Sequence, residues 1–325
     1  MKLKRSLKEF SDRNKGNHMN PLIILTGPTA VGKTNLSIKL AEAIGGEIIS
    51  ADSMQVYEYM DIGTAKISQT DMKNIPHHLI NICKPWEDFN VVQFSYRAKQ
   101  AMDAIYAKNK IPIIAGGTGF YIQAVLYDIH FEESNDDDSF RKEMEKILKE
   151  QGYEILHKRL QEIDPDSATA IHPNNAKRVI RALEYHHQTG NLISKHNVEE
   201  RKRKSPYEFH YFVLTDDRNI LYENINQRVD QMIEKGLVNE VKKLVDMGCT
   251  KQMVSMQGIG YKEILEYLDG IGTLEEAINK IKLDTRHFAK RQLTWFKREQ
   301  DVEWFDKSAY GYNEDAILKE MIRRI

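Results

Sequence analysis

Gly27-Pro28-Thr29-Ala30-Val31-Gly32-Lys33-Thr34 fits the phosphate-loop pattern GxxxxGK[ST], and its flanks restrict the fold more than any other stretch of the chain. The apolar run Leu22-Ile23-Ile24-Leu25 before it reads as a buried parallel strand. Asn35 to Ile44 after it reads as a helix with Leu36, Leu40 and Ile44 on one face. In such a strand-loop-helix unit, backbone N–H groups and the helix N-terminus wrap a phosphate. Lys33 adds a point charge, and the Thr34 hydroxyl can bind Mg²⁺. A purely structural glycine turn has no need of the Lys-Thr pair. The expectation is a chain that binds a di- or triphosphate.

Residues 21–125 go on alternating strand-like and helix-like segments. Glu47 to Asp52, His78 to Ile82 and Ile111 to Gly117 read as strands, and Val91 to Lys108 as a helix. This pattern predicts an α/β fold: a phosphate-loop NTPase-like, doubly wound parallel sheet with ligands at the carboxyl ends of its strands. After Asp136-Asp137-Asp138 the chain becomes helical and charged up to about Arg203, which predicts an all-helical insertion domain. Tyr211-Phe212-Val213-Leu214 returns to the sheet. The remainder is mostly helical, with Trp304-Phe305 as a last short strand. The expected division is a disordered basic leader over 1–19, a core over 20–128, the insertion over 129–205, and the second part of the core with basic helices over 206–325.

The 325 residues, 41% of them hydrophobic, suffice for a sizeable core, as two domains or as one with a large insert. A net charge of −1 means that any contact with nucleic acid must come from local patches. The two cysteines, Cys83 and Cys249, exclude a disulfide framework and a Cys-rich zinc site, as expected of a reducing cytoplasmic setting. No apolar stretch approaches the length of a membrane span. The first 18 residues are basic and carry no apolar core, so they do not read as a secretory signal. Nothing points to a self-association surface or an obligate protein partner, and a monomer is the default.

Asp52 ends the second strand, where its carboxylate projects toward the rim that carries the phosphate loop. It reads as a solvated turn carboxylate, as a water-mediated ligand of Mg²⁺, or as a general base taking a proton from an acceptor. Its neighbours Ser53, Gln55 and Tyr57 suit a pocket for a planar heterocycle. No later strand ends in an Asp or Glu that would serve as a Walker-B residue. Gly116-Gly117-Thr118-Gly119-Phe120-Tyr121 stands there instead, either as a structural turn or as a close approach of backbone to ligand. The adjacent His77 and His78 face opposite sides of an extended strand and cannot share one ion; buried or capping roles are expected of them. Lys177, Arg178 and Arg181 share a helix face. Arg286, Lys290 and Lys297 share another, with Arg291 and Arg298 alongside and Trp295 and Phe296 interleaved, a mixture that suits an RNA backbone and its splayed bases. Either face, and the run Arg201 to Lys204, reads otherwise as merely solvated. Arg228, beside the apolar stripe Leu221, Ile225 and Val229, reads as a surface ion pair or as a fork reaching inward to phosphate oxygens.

Taken together, these residues resemble the tRNA dimethylallyltransferases (tRNA isopentenyltransferases) in their bacterial form. The resemblance runs from about Pro21 to Asp306. It rests on Gly27 to Thr34, Ser50 to Tyr57, Asp61 to Lys66, Pro76 to Ile80, Gly116 to Tyr121, Arg178 to Glu184 and Lys290 to Phe296. The C-terminal Cys/His zinc finger of the eukaryotic relatives has no counterpart in this chain. The resemblance implies transfer of a dimethylallyl group from dimethylallyl diphosphate to the exocyclic amine of the adenine 3′ of the anticodon, in tRNAs reading codons that begin with U. A phosphate-loop kinase for a small molecule or nucleoside is the alternative. It further implies that Gly27, Pro28, Thr29, Ala30, Val31, Gly32, Lys33 and Thr34, with Arg228 and Mg²⁺ on Thr34, hold the diphosphate. Asp52, Thr34, Thr118 and Arg228 become the catalytic set. Contact with the anticodon stem-loop falls to Asp52, Ser53, Met54, Gln55 and Thr118, to Arg141, Lys177, Arg178, Val179, Ile180 and Arg181, and to Lys290, Arg291, Gln292 and Trp295.

Overall fold

The computed structural model describes residues 19–131, 139–200 and 202–325, so the basic leader, the Asp136–Asp138 turn and Arg201 lie outside the described residues. The chain forms two compact units. One comprises the residues up to Leu126 together with Pro206–Ile325, and the other Tyr127–Ser205.

The larger unit opens with strand β1 (Asn20–Thr26), whose six residues from Pro21 are all buried, and the phosphate loop leads from it into helix α1 (Lys33–Ile44). Strands β2 (Glu47–Ala51) and β3 (His77–His78) precede α2 (Val91–Tyr106), which Asn90 and Gln93 start with a reciprocal capping box. Then come β4 (Pro112–Gly116) and α3 (Gly119–Leu126). The smaller unit supplies α4 (Ser139–Gln151), α5 (Tyr153–Ile163), α6 (Pro165–Ala170), α7 (Ala176–Thr189) and α8 (Ile193–Glu200). The larger unit resumes with β5 (Tyr207–Thr215), α9 (Arg218–Glu234), α10 (Leu237–Asp246), α11 (Tyr261–Leu268), α12 (Leu274–Phe296), β6 (Val302–Asp306) and α13 (Glu314–Arg324).

The sheet has six strands in the order β3-β2-β4-β1-β5-β6, every neighbouring pair parallel. Parallel strands need crossovers and put helices on both faces, which is why β1 is buried throughout rather than alternating. On one face Ile23, Leu25, Ile113 and Phe212 pack with Leu36, Leu40, Ile225, Ala289 and Met321 from the helices. Across the carboxyl rim, Thr26 lies opposite Gly116, and Gly116 opposite Ala51. The expected strand His78 to Ile82 stops at His78. Leu79 and Asn81 adopt positive φ (64° and 55°), and the N–H groups of Asn81 and Ile82 turn to the carbonyls of Gln55 and Val56. That segment covers the loop after β2 instead of widening the sheet.

The smaller unit has its own core of Met144, Leu156, Leu160, Ala168, Val179, Ile180, Ala182 and Leu183. Glu184, also buried, receives two bonds from Arg141 (Nε 3.0 Å, Nη2 2.7 Å) and one from Arg181 (Nη1 2.9 Å). Burial alone raises the Glu184 carboxyl, but the two guanidiniums outweigh it and lower it.

At the start of β2, the Glu47 carboxylate is 1% exposed and is met by His78 Nε2 (2.9 Å), Lys108 Nζ (2.9 Å) and Lys110 Nζ (2.9 Å). Desolvation pushes its pKa up, yet the bonds from His78, Lys110 and Lys108 prevail and bring it down to about 2. A carboxyl depressed in the folded state stabilises above its unfolded value of about 4.3, and that stabilisation fades as pH falls toward 2. Glu47→Gln is therefore expected to destabilise the fold by about 1–3 kcal/mol at pH 7, in urea denaturation. The gap between variant and wild type should narrow steadily as pH falls below about 4; a gap as wide at pH 2.5 as at pH 7 counts against this account.

Candidate active site

Three rim positions converge on one cleft of about 560 Å³ within the larger unit. The first is the phosphate loop. Gly27 has φ 146°, and a Cβ there would lie 2.5 Å from the carbonyl oxygen of Leu214 on β5, so only glycine fits. Ala30 (φ 63°) and Gly32 (φ 98°) complete the turn into α1. No side chain caps α1 and its first turn carries no acidic residue, which leaves the free N–H groups and the positive end of the helix for an anion. Thr29, Ala30, Gly32, Lys33 and Thr34 line the cleft. Val31 has its side chain fully buried in the core, so its part in the loop falls to its backbone.

Lys33 folds over its own loop, donating from Nζ to the carbonyls of Gly27 (2.9 Å) and Pro28 (2.7 Å). Burial lowers its pKa to about 7, Arg228 pushes the same way, and Asp52 opposes. Arg228 reaches in from α9 to line the same cleft and makes no salt bridge among the described residues, so the inward reading holds over the surface ion pair. Burial lowers its pKa as well, with Asp52 opposing. Asn224 and Gln231, one turn either side of Arg228, and its neighbour Gln227 line the cleft too. Their three- and four-residue spacing was a signal in the sequence that the apolar stripe of this helix overshadowed.

The second position is Asp52, one residue past β2. Its Oδ1 accepts from the N–H groups of Met54 (2.9 Å) and Gln55 (3.4 Å), while Oδ2 has no hydrogen-bond partner among the described residues. It is the single carboxylate lining the cleft among the described residues. Gln55 also lines it, but its amide is engaged at both ends: Oε1 accepts from Ser50 Oγ (3.0 Å) and Nε2 donates to the Thr64 carbonyl (3.2 Å). Gln55 thus braces the loop behind Asp52, rather than presenting a free amide to a base edge. Met54 packs against Gly258, and Tyr57 is buried entirely, outside the cleft lining. His77 lines the cleft with Nδ1 donating to the Ile75 carbonyl (2.8 Å), while His78 turns to Glu47.

The third position is the glycine loop after β4. A Cβ on Gly116 would lie 2.2 Å from the Ala51 carbonyl oxygen, one on Gly117 2.2 Å from Gln292, and one on Gly119 2.2 Å from the Trp295 ring. The missing side chains admit protein neighbours, while Gly116 and Gly117 also line the cleft. Thr118 lies outside the cleft lining. Its N–H donates to the Ala51 carbonyl (3.0 Å), and its Oγ1 accepts from the Ser53 N–H (3.1 Å), tying the ends of β2 and β4 together. Tyr121 stacks on Phe94 in the core at 4.2 Å, whereas Phe120 meets the edge of Trp295 at 6.2 Å.

Gln292, expected to meet RNA, is a correction. It is 6% exposed; its Oε1 accepts from the Thr29 N–H (2.8 Å) and its Nε2 donates to the Gly117 carbonyl (2.9 Å). It is a strut between the two loops, with no amide group left for RNA. Lys290 and Arg291 are exposed on α12, and the Arg291 guanidinium lies 5.7 Å from the centre of the Phe288 ring, a cleft residue that sequence reasoning missed. In the smaller unit Lys177, Arg178 and Arg181 are exposed, but Val179 and Ile180 are not: their side chains fill the helical core and cannot touch a ligand. Arg141 and Arg181 both hold Glu184 while keeping nearly half of their side-chain surface exposed.

Ile48, Ala65, Ile67, Ile80 and Ala115 give the cleft an apolar strip of wall, beside the polar Asn35, Ser37 and Ser50. The cleft therefore offers a cationic cradle, a fixed carboxylate and a hydrophobic strip to one ligand space. No group of three or more His, Cys, Asp or Glu capable of holding a metal occurs among the described residues. The exposed Thr34 hydroxyl and Asp52 suit a Mg²⁺ whose other ligands are water and phosphate oxygens.

Residues 55–299 match the IPP transferase family model, and 20–83 that of the isopentenyl transferases. The tRNA dimethylallyltransferase of Lachnoclostridium phytofermentans is 59% identical over 306 residues, spanning 94% of this chain and 97% of that protein. The one from Clostridioides difficile is 51% identical over 302 residues, 93% and 96% of the two chains. Of solved structures, the full-length tRNA isopentenylpyrophosphate transferase of Bacillus halodurans superposes with a TM-score of 0.67 at 44% identity, covering 94% of this chain and 98% of that one. A eukaryotic dimethylallyltransferase acting on tRNA gives 0.76 at 32% identity, over 88% and 74%. With relatives more than half identical along nearly its whole length, this chain belongs to the tRNA dimethylallyltransferase family.

Proposed function

We propose that this chain transfers a dimethylallyl group from dimethylallyl diphosphate to the exocyclic amine of the adenine 3′ of the anticodon, in tRNAs reading codons that begin with U. The observation that carries the reading is that Lys33 and Arg228 line the same cleft as Asp52, with an apolar wall beside them. A small anion joined to a short hydrocarbon matches that lining; a nucleotide's γ-phosphate does not call for the apolar part. The kinase alternative also lacks a second carboxylate in the cleft among the described residues.

In this mechanism the loop N–H groups, Lys33 and Arg228 bind the diphosphate and offset the charge that builds on it as its bond to the allylic carbon breaks. Mg²⁺, held by Thr34 and diphosphate oxygens, would add positive charge there. The amine nitrogen attacks the allylic carbon, and Asp52 Oδ2, the free oxygen of a carboxylate whose other oxygen is pinned, takes the amine proton. Thr118 and Gln55 act behind Asp52 by fixing its loop. The adenine reaches Asp52 by leaving the anticodon-loop stack, at less cost than from a duplex. Lys177, Arg178, Arg181 and Arg141 on the helical unit, and Lys290, Arg291 and Trp295 on α12, form the surfaces proposed to meet the stem-loop. No helix among the described residues is long and apolar enough to cross a membrane, and the proposed substrates place the reaction in the cytoplasm.

The direct test incubates the protein with Mg²⁺, labelled dimethylallyl diphosphate and unmodified tRNA bearing A next to the anticodon. Label should enter the RNA; consumption of ATP with a small acceptor would point to a kinase instead. Asp52→Ala is expected to keep donor and tRNA binding while turnover drops at least ~10²-fold, and near-normal turnover removes Asp52 from the chemistry. Lys33→Ala should act mainly on the donor, raising its Kd by about tenfold or more, the loss of one charge-assisted contact. Unchanged donor affinity contradicts the cradle.

A further inference from the structure

Three consecutive backbone N–H groups, those of Asp61, Ile62 and Gly63, donate to one carboxylate, Glu240 on α10, at 2.9, 2.8 and 3.1 Å. The Tyr261 hydroxyl, at the start of α11, donates a fourth bond to Glu240 Oε1 at 2.6 Å. The carboxylate is buried, and burial beside it holds the Tyr261 proton far above the ordinary phenol range. Gly63 is pressed against the Tyr261 ring, where a Cβ would come within 2.5 Å, so the contact is shaped as well as charged. Four donors on a buried acceptor form an anchor, because removing it strands every donor without water to replace it.

What the anchor holds is one wall of the cleft. Directly after Gly63, the Thr64 carbonyl accepts from Gln55 Nε2, and Ala65 and Ile67 line the cleft. Lys66 ties the same loop down through the Tyr57 carbonyl, Asp61 Oδ1 (2.9 Å) and Asn81 Oδ1 (2.6 Å). Gln55 in turn bonds Ser50, and its N–H reaches Asp52 Oδ1. An unbroken set of contacts thus runs from Glu240 through residues 61–64 and Gln55 to Asp52. The phosphate loop has a separate support, Gln292.

We infer that Glu240 is a positioning residue for the acceptor side of the reaction: with Tyr261 it fixes the 61–67 wall and, through Gln55, the aim of Asp52, leaving donor binding to the opposite side of the cleft. This inference rests on the transfer reaction proposed above. Glu240→Gln replaces one acceptor oxygen by an N–H₂ that faces N–H donors. With purified full-length protein, labelled dimethylallyl diphosphate and a tRNA transcript, it is expected to lower kcat/KM for tRNA roughly 10–100-fold, the scale of a misplaced reacting group. Donor Kd should stay within about twofold, since the loop's own support is untouched. Tyr261→Phe keeps the ring on Gly63 and removes one bond, so a loss of about 3–10-fold with the same split is expected. The inference is overturned if tRNA kinetics stay within twofold in both variants. It also fails if donor affinity and tRNA kinetics fall together in proportion to the folded fraction. Should Glu240→Gln not fold, the Tyr261→Phe split decides alone. Failure of the wild-type protein to transfer label strikes instead at the transfer reading itself.

Discussion

The parallel register at the carboxyl rim of the sheet is the constraint from which the cleft follows. Thr26, Gly116 and Ala51 stand in one row across β1, β4 and β2, so the phosphate loop, the Gly117–Thr118 turn and Asp52 all depart from the same level. With strands about 4.8 Å apart, the start of the phosphate loop and Asp52 are separated by roughly 10 Å. The row is locked as well as aligned. Thr26 Oγ1 donates to the Gly116 carbonyl at 2.6 Å, and Thr118 N–H to that of Ala51 at 3.0 Å. A slip of one residue would turn the side chains of the moved strand to the opposite face and take Asp52 out of the cleft.

Charge is distributed over that frame against its own comfort. Lys33 and Arg228 lie in one desolvated cleft, burial lowers both and Arg228 lowers Lys33 further, with Asp52 as the opposing charge on each. A bound anion would relieve both, so the cleft favours anions by its excess of positive charge.

Polar side chains that look like ligand readers are largely internal braces. Gln55 and Gln292 each join two backbone segments through both ends of an amide, and Glu240 gathers three N–H groups and a phenol. Irregular loops at a sheet rim leave many backbone groups unpaired, and buried amides and carboxylates satisfy them where no ladder can. The charged groups left open to a ligand are fewer: a lysine, an arginine and one carboxylate oxygen, with the amides of Asn224, Gln227 and Gln231 beside them.

Local pattern determined the elements and the loop. A buried apolar run, GxxxxGK[ST] and a leucine-faced helix can form β1, the phosphate loop and α1 in only one order, and the switch to charged helical periodicity announced a second, all-helical unit. The sequence also placed Asp52 at a strand end and Lys177 and Arg178 on an exposed face, because both follow from short-range geometry. Only the tertiary structure decided which way Arg228 points, that Val179 and Ile180 face inward beside those exposed cations, that the third strand ends at His78, and that Gln55 and Gln292 bond protein. The physical reason is separation along the chain. Gln292 meets its partners 175 and 263 residues away, and Glu240 meets the 61–63 loop at 177 to 179. No periodicity or motif encodes a contact of that span; it arises when the sheet's register and the helices packed on it bring distant segments to one rim.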